Sequence, residues 1–179
     1  MINRLKLSLG LAPLALLLVI GVYIYSLWAA ERQKASDIPV EAIGAMMRDL
    51  LSFHEKRGVF PETLKQLEGV VWEKRTREFV SGNRALNHRN YYYLYTRVTN
   101  HRFTLWAIPM GRFREETSTW FLAGSPFACR RWKGAPIDLD DVSKLAATPS
   151  LGQLGLLGLV EQEKITFSDQ RTSQIFLRR

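Results

Sequence analysis

The chain has 179 residues, a formal net charge of +8 and a single cysteine, Cys129. One cysteine excludes an intrachain disulfide, so the fold must rest on packing, and the length allows one domain with a sizeable core. The basic surplus suits anionic headgroups, acidic protein or nucleic acid as partners.

In chain order, the first feature is an uncharged, largely apolar run from Leu7 to Ala30. As a helix rising about 1.5 Å per residue it would reach roughly 36 Å, more than a hydrocarbon core of roughly 30 Å. The sequence therefore predicts a single transmembrane helix, with Leu14, Leu17 and Leu18 in the apolar layer and Tyr23, Tyr25 and Trp28 at the headgroups. A cleaved signal peptide fits less well, because cleavage after Ala29 or Ala30 would place Leu27 or Trp28 at the −3 position. Arg4, Lys6 and the terminal amine precede the run, whereas Arg32 and Lys34 follow it. This predicts a signal anchor with a cytoplasmic N-terminus and a periplasmic C-terminal domain in a bacterial inner membrane. The remainder carries 23 basic against 17 acidic residues.

Ser36 and Asp37 read as caps of a second helix with Pro39 in its first turn, and Pro39 predicts a break at Ile38. Ile43, Met46, Met47, Leu50, Phe53 and His54 recur at helical spacing, and Gly58 ends the pattern. A short helix is expected from Phe60 to Leu67, ending near Gly69. Charge then dominates from Trp72 to Asn90, which reads as a loop with a turn at Gly82-Asn83. Tyr91 to Val98 and Phe103 to Pro109 read as strands joined by Thr99-Asn100-His101-Arg102. Ser118 to Ala123 and Phe127 to Trp132 read as two more. Beyond Pro136, Asp138 to Leu145 could form one or two helical turns. The glycine-broken run Leu151 to Val160 reads as a loop against the core or as a docking strip presenting Leu154, Leu156, Leu157 and Leu159. Short strands at Ile165 to Phe167 and Ile175 to Leu177 close the pattern.

From Phe53 to Leu67 the phrase runs from an aromatic residue through Gly58 to Pro61 and into a leucine-based turn. With the strand Arg102-Phe103-Thr104-Leu105-Trp106-Ala107-Ile108-Pro109, it resembles the pilin and type II secretion pseudopilin group over roughly Pro39 to Pro136. The resemblance implies a transmembrane helix followed by a second helix packed on an antiparallel sheet, and assembly with other subunits. It stops at the N-terminus. With Gly10 as the processing glycine, Leu11 takes the place of that family's Phe and Ala15 the place of its Glu, so the processing motif and the mature-helix carboxylate are both missing.

Catalytic patterns are weak throughout. His54-Glu55 opens a zinc-protease phrase, but Gly58 stands where the second histidine belongs. His54, His88 and His101 share no ligand spacing and read as surface or half-buried residues. Gly152, Gly155 and Gly158 follow no strand and precede no lysine, unlike a phosphate cradle. Ser125 lacks the flanking glycines of a nucleophile elbow. Asp138, Asp140 and Asp141 lack the rest of a calcium loop and read as a helix N-terminus. Cys129, beside Arg130 and Arg131, reads as a buried strand cysteine rather than a thiolate. The mixture of Tyr91, Tyr92, Tyr93, Tyr95, Arg97 and Arg102 could stack bases, but a sheet core explains it more simply.

These readings give an α+β fold, with a transmembrane helix followed by a second helix on an antiparallel sheet. The expected parts are 1–30 (tip and span), 31–37 (linker), 38–136 (pilin-like domain) and 137–179 (an extension packed on the domain or on a partner). The expected function is a non-catalytic accessory subunit of a larger inner-membrane complex, without cofactor or metal. Its expected partners are integral membrane subunits and lipid headgroups, with no nucleic acid. A pseudopilin-like component of a secretion or pilus machine is the alternative.

Overall fold

The computed structural model describes residues 2–74 and 77–166, the side chains of residues 2–15, 35 and 36 excepted. It contains a long helix α1 (Ile2–Arg57), a 3-10 turn at Leu64–Leu67 and seven strands. The strands are β1 (Phe79–Val80), β2 (Ala85–His88), β3 (Tyr91–Thr99), β4 (Arg102–Pro109), β5 (Thr119–Gly124), β6 (Ala128–Gly134) and β7 (Val160–Thr166). Two short helices, α2 (Leu139–Ser143) and α3 (Leu151–Leu156), lie between β6 and β7 in sequence. The chain divides into two compact units, Met1–Ala35 and Ser36–Arg179.

The expected transmembrane helix is corrected. Among the described residues, no helix is long and apolar enough to cross a membrane. α1 runs unbroken past Ala30 into Glu31, Arg32 and Lys34. The signal anchor, the single-pass inner-membrane location and the N-terminus-inside orientation rested on that span and are corrected with it.

The expected break before Pro39 is also absent, because α1 runs through it without interruption. Proline removes one intrahelical donor. Here Pro39 is itself buried, and Val40 and Ala42 next to it pack on the core, which offsets that loss. The helix stops where the sequence indicated: Gly58 adopts φ +76°, and its N–H donates to the His54 carbonyl at 2.7 Å. A left-handed residue that satisfies one of the last free carbonyls is the usual reason a helix ends at glycine.

Each strand pairs antiparallel with its neighbours in sequence, giving a seven-stranded meander in the order β1 to β7. Period-two alternation then fills both faces. Tyr91, Tyr93, Tyr95, Phe103, Leu105, Ala107, Trp120 and Leu122 pack with Ile43, Met46, Leu50 and Phe53 of α1. On the other face Tyr92, Trp106, Ile108, Phe121 and Trp132 pack with Val142, Leu154 and Leu159, from α2, α3 and the residues after α3. β4 is consequently buried from Phe103 to Pro109. Three layers result, with the sheet in the middle.

The charged segment from Trp72 to Asn90 is not simply a loop. β1 and β2 form a hairpin there, turned by Ser81, Gly82 and Asn83, all at positive φ. Burial of Ala85 and Leu86 against β3 holds it in register, with Ala85 opposite Leu94 and Leu86 opposite Tyr93. The glycines at 152 and 155 do not prevent a helix either. Ser150 and Gln153 form a capping box, in which the Ser150 hydroxyl accepts from the Gln153 N–H and the Gln153 side chain accepts from the Ser150 N–H. Two satisfied donors and the burial of Leu154 outweigh the glycine penalty. The expected strand at Ile165 to Phe167 coincides with the end of β7, though Phe167 and the segment Ile175 to Leu177 lie outside the described residues.

Gly124 pairs with Phe103 across β5 and β4, and a Cβ at Gly124 would lie 2.4 Å from the Phe103 ring. Phe103 is itself enclosed, against Phe60 and Tyr95, so it has nowhere to move. Gly124→Ala is therefore expected to destabilise the fold by about 1–3 kcal/mol through overpacking. A denaturant midpoint unchanged from the parent chain would show that the ring can shift.

Candidate functional site

Two surfaces stand out once the core is accounted for. The first lies on α1 within the unit Met1–Ala35. From Leu16 to Leu27 its apolar side chains are exposed all round, Leu17 at 66% and Tyr25 at 68%. Leu17, Leu18, Gly21, Val22 and Tyr25 line a shallow, open apolar groove along it. Tyr25 and Trp28 lie with ring centroids 6.2 Å apart, and the Arg32 guanidinium stands 5.3 Å from the Trp28 ring centre. Of the residues expected to anchor the chain, Leu17, Leu18, Tyr23 and Tyr25 are exposed and Trp28 is partly buried. The Leu14 side chain lies outside the described residues.

The second surface is where α1 ends beside the β3–β4 turn. Three contacts tie the segment just after α1 to β3 and its turn. The Phe60 N–H donates to the Asn100 carbonyl at 2.8 Å, the Tyr95 hydroxyl donates to the Pro61 carbonyl at 2.6 Å, and Arg97 pairs with Glu62. This brings the His54 and His101 rings together, with His54 Nε2 2.9 Å from His101 Nδ1. Phe60 supports the His54 ring at a centroid distance of 4.6 Å. Partial burial and the neighbouring His101 hold the His54 pKa below its ordinary value, and His88 is lowered by partial burial and by Arg89.

Histidines with a lowered folded pKa bind fewer protons than the same groups in the unfolded chain, so stability rises with pH across the interval below about 6.5. The melting temperature in metal-free buffer is thus expected to fall as pH drops from 7.5 to 5.5, and to fall less in His54→Gln. Equal pH dependence in the two proteins would remove His54 from this role.

The leucines expected to form a docking strip separate. Leu154 and Leu159 sit in the second core, Leu157 packs against it, and Leu156 alone stands out, 90% exposed. Burial pushes the Cys129 thiol up to about 12, far from a reactive thiolate. Tyr91, Tyr92, Tyr93 and Tyr95 are buried, so their faces are closed to bases. The Ser125 hydroxyl serves its own turn, accepting from the Ala128 N–H at 3.1 Å. Asp138 is the residue before α2 but makes no side-chain cap; it pairs instead with Arg114 at 2.7 Å.

Sequence reasoning missed one polar cluster altogether. The Trp72 indole N–H donates to the Asp49 carboxylate at 2.6 Å, Arg77 stacks on Trp72 with its guanidinium 4.6 Å from the ring centre, and Arg77 also pairs with Glu68 at 3.2 Å. Burial raises the Asp49 pKa, and the Trp72 hydrogen bond with the Arg48 and Arg77 charges opposes that rise. The cluster clips the segment after the 3-10 turn to α1.

Among the described residues no three His, Cys, Asp or Glu side chains gather as a metal cluster. No protein-family model, no curated protein and no solved structure matches this chain.

Proposed function

We propose that the chain is a non-catalytic accessory subunit of a larger protein assembly, docked through the helix surface from Leu16 to Leu27. One observation carries this reading: the sheet unit fills both faces of its own sheet, whereas a contiguous apolar surface on α1 stays exposed. Exposed apolar surface on this scale marks a place where another molecule sits. The groove at Gly21 would allow close approach of a partner helix, since a residue without Cβ leaves backbone accessible.

A photo-cross-linking residue at Leu17 in the native host tests the reading. The expected result is a discrete adduct with another protein, lost when Leu18 and Tyr25 are both changed to serine while the sheet unit keeps its melting temperature. Absence of any protein adduct would sink the proposal.

The packing of α1 from Ile43 to Phe53 on an antiparallel meander favours a second reading, a pseudopilin-like component that assembles with subunits of its own kind. Adducts of this chain with itself, in a ladder of sizes, would promote that reading over the first.

A further inference from the structure

We propose that His54 and His101 form a two-histidine clamp for a divalent transition-metal ion such as Zn²⁺, closing between the end of α1 and the β3–β4 turn. The two nitrogens are 2.9 Å apart and come from positions 47 residues apart in sequence. A tetrahedral ion held at about 2.0–2.1 Å from each nitrogen sets them about 3.3–3.4 Å apart. The contact is a hydrogen bond, so admitting the ion requires the pair to open by a few tenths of an ångström and the shared proton to pass to the other ring nitrogen of the histidine that carries it.

The His54 ring and the His101 backbone are each held in place. His54 is on the last turn of α1 and leans on Phe60. His101 is fixed through its backbone, whose N–H donates to the Thr99 hydroxyl at 3.2 Å. Imidazole nitrogens are borderline donors, which selects zinc, copper or nickel over magnesium and calcium. Lys56, two residues after His54, donates its ammonium to the Val70 carbonyl at 2.9 Å. Two ligands leave the ion's other positions to water. The clamp is a binding site open to solvent, and it adds a bridge between helix and turn.

Calorimetric titration of the full chain with zinc chloride at pH 7.5, with thermal melts at each concentration, tests the clamp. The expected result is saturable binding of one Zn²⁺ per chain and a melting temperature that climbs with zinc. His54→Gln and His101→Gln should each weaken binding tenfold or more, whereas His88→Gln should leave it intact. Magnesium should produce neither signal. His101 lies in an exposed turn, so His101→Gln decides the matter even where His54→Gln misfolds. Failure of the parent chain to bind zinc saturably would overturn the proposal. Undiminished binding by His101→Gln, or loss of binding in His88→Gln, would overturn it equally.

Discussion

Trp106→Ala is expected to destabilise the sheet unit by about 3–5 kcal/mol, the usual cost of deleting a large enclosed aromatic side chain. Trp106 is 3% exposed at the middle of β4 and packs on Phe121 at a centroid distance of 4.5 Å. Phe121 in turn packs on Trp132 at 5.3 Å, so three neighbouring strands share one aromatic row. Alanine would leave that row open on the face that α2 and α3 cover. Equilibrium denaturation followed by tryptophan fluorescence and far-ultraviolet dichroism measures the loss. A change below about 1 kcal/mol would show that the face closes over the gap.

Leu50→Ala attacks the opposite face and should cost about 2–5 kcal/mol. Leu50 is fully buried in the cluster that joins α1 to the sheet. It follows Ile43 and Met46 along the inward stripe and precedes Phe53, so its loss removes the centre of the contact. The two faces share β4, which couples them. The double variant is therefore expected to depart from the sum of the single losses by about 0.5–3 kcal/mol, as residues coupled through a shared strand can in either direction. Strict additivity in a double-mutant cycle would show instead that β4 insulates one face from the other.

Legibility in the sequence followed the range of the signal. β3 to β6 could be read because Tyr91 to Gly134 alternates aromatic and branched residues between turn formers, a pattern confined to neighbours. The inward stripe of α1 and its stop at Gly58 were equally local. The β1–β2 hairpin could not be read that way, since β1 is two residues long and charges flank it. Its stability comes from Leu86 and Ala85 meeting β3, which no window of sequence contains. α3 was hidden by its glycines, although Ser150 with Gln153 three residues later was a readable capping signal. At Pro39 the local rule was sound, but burial of the proline itself overrode it. The run from Leu7 to Ala30 shows the opposite failure, a strong local apolar signal read as a span although no described helix meets that requirement. The His54–His101 pair had no spacing to betray it, because only the return of the β3–β4 turn to the end of α1 brings the rings together.

The unbroken order of the strands carries a kinetic consequence. Because each strand adds beside the one just before it, every step in building the sheet closes a modest loop, apart from the longer return through α2 and α3 before β7. Closure entropy rises slowly with loop length, and chains dominated by near-neighbour pairing reach their transition state quickly. The meander can grow by zipping outward from the β3–β4 hairpin, whose turn has only two residues between its strands. Docking of the α1 stripe then comes as the late, distant step, so substitutions at Leu50 should speed unfolding more than they slow folding.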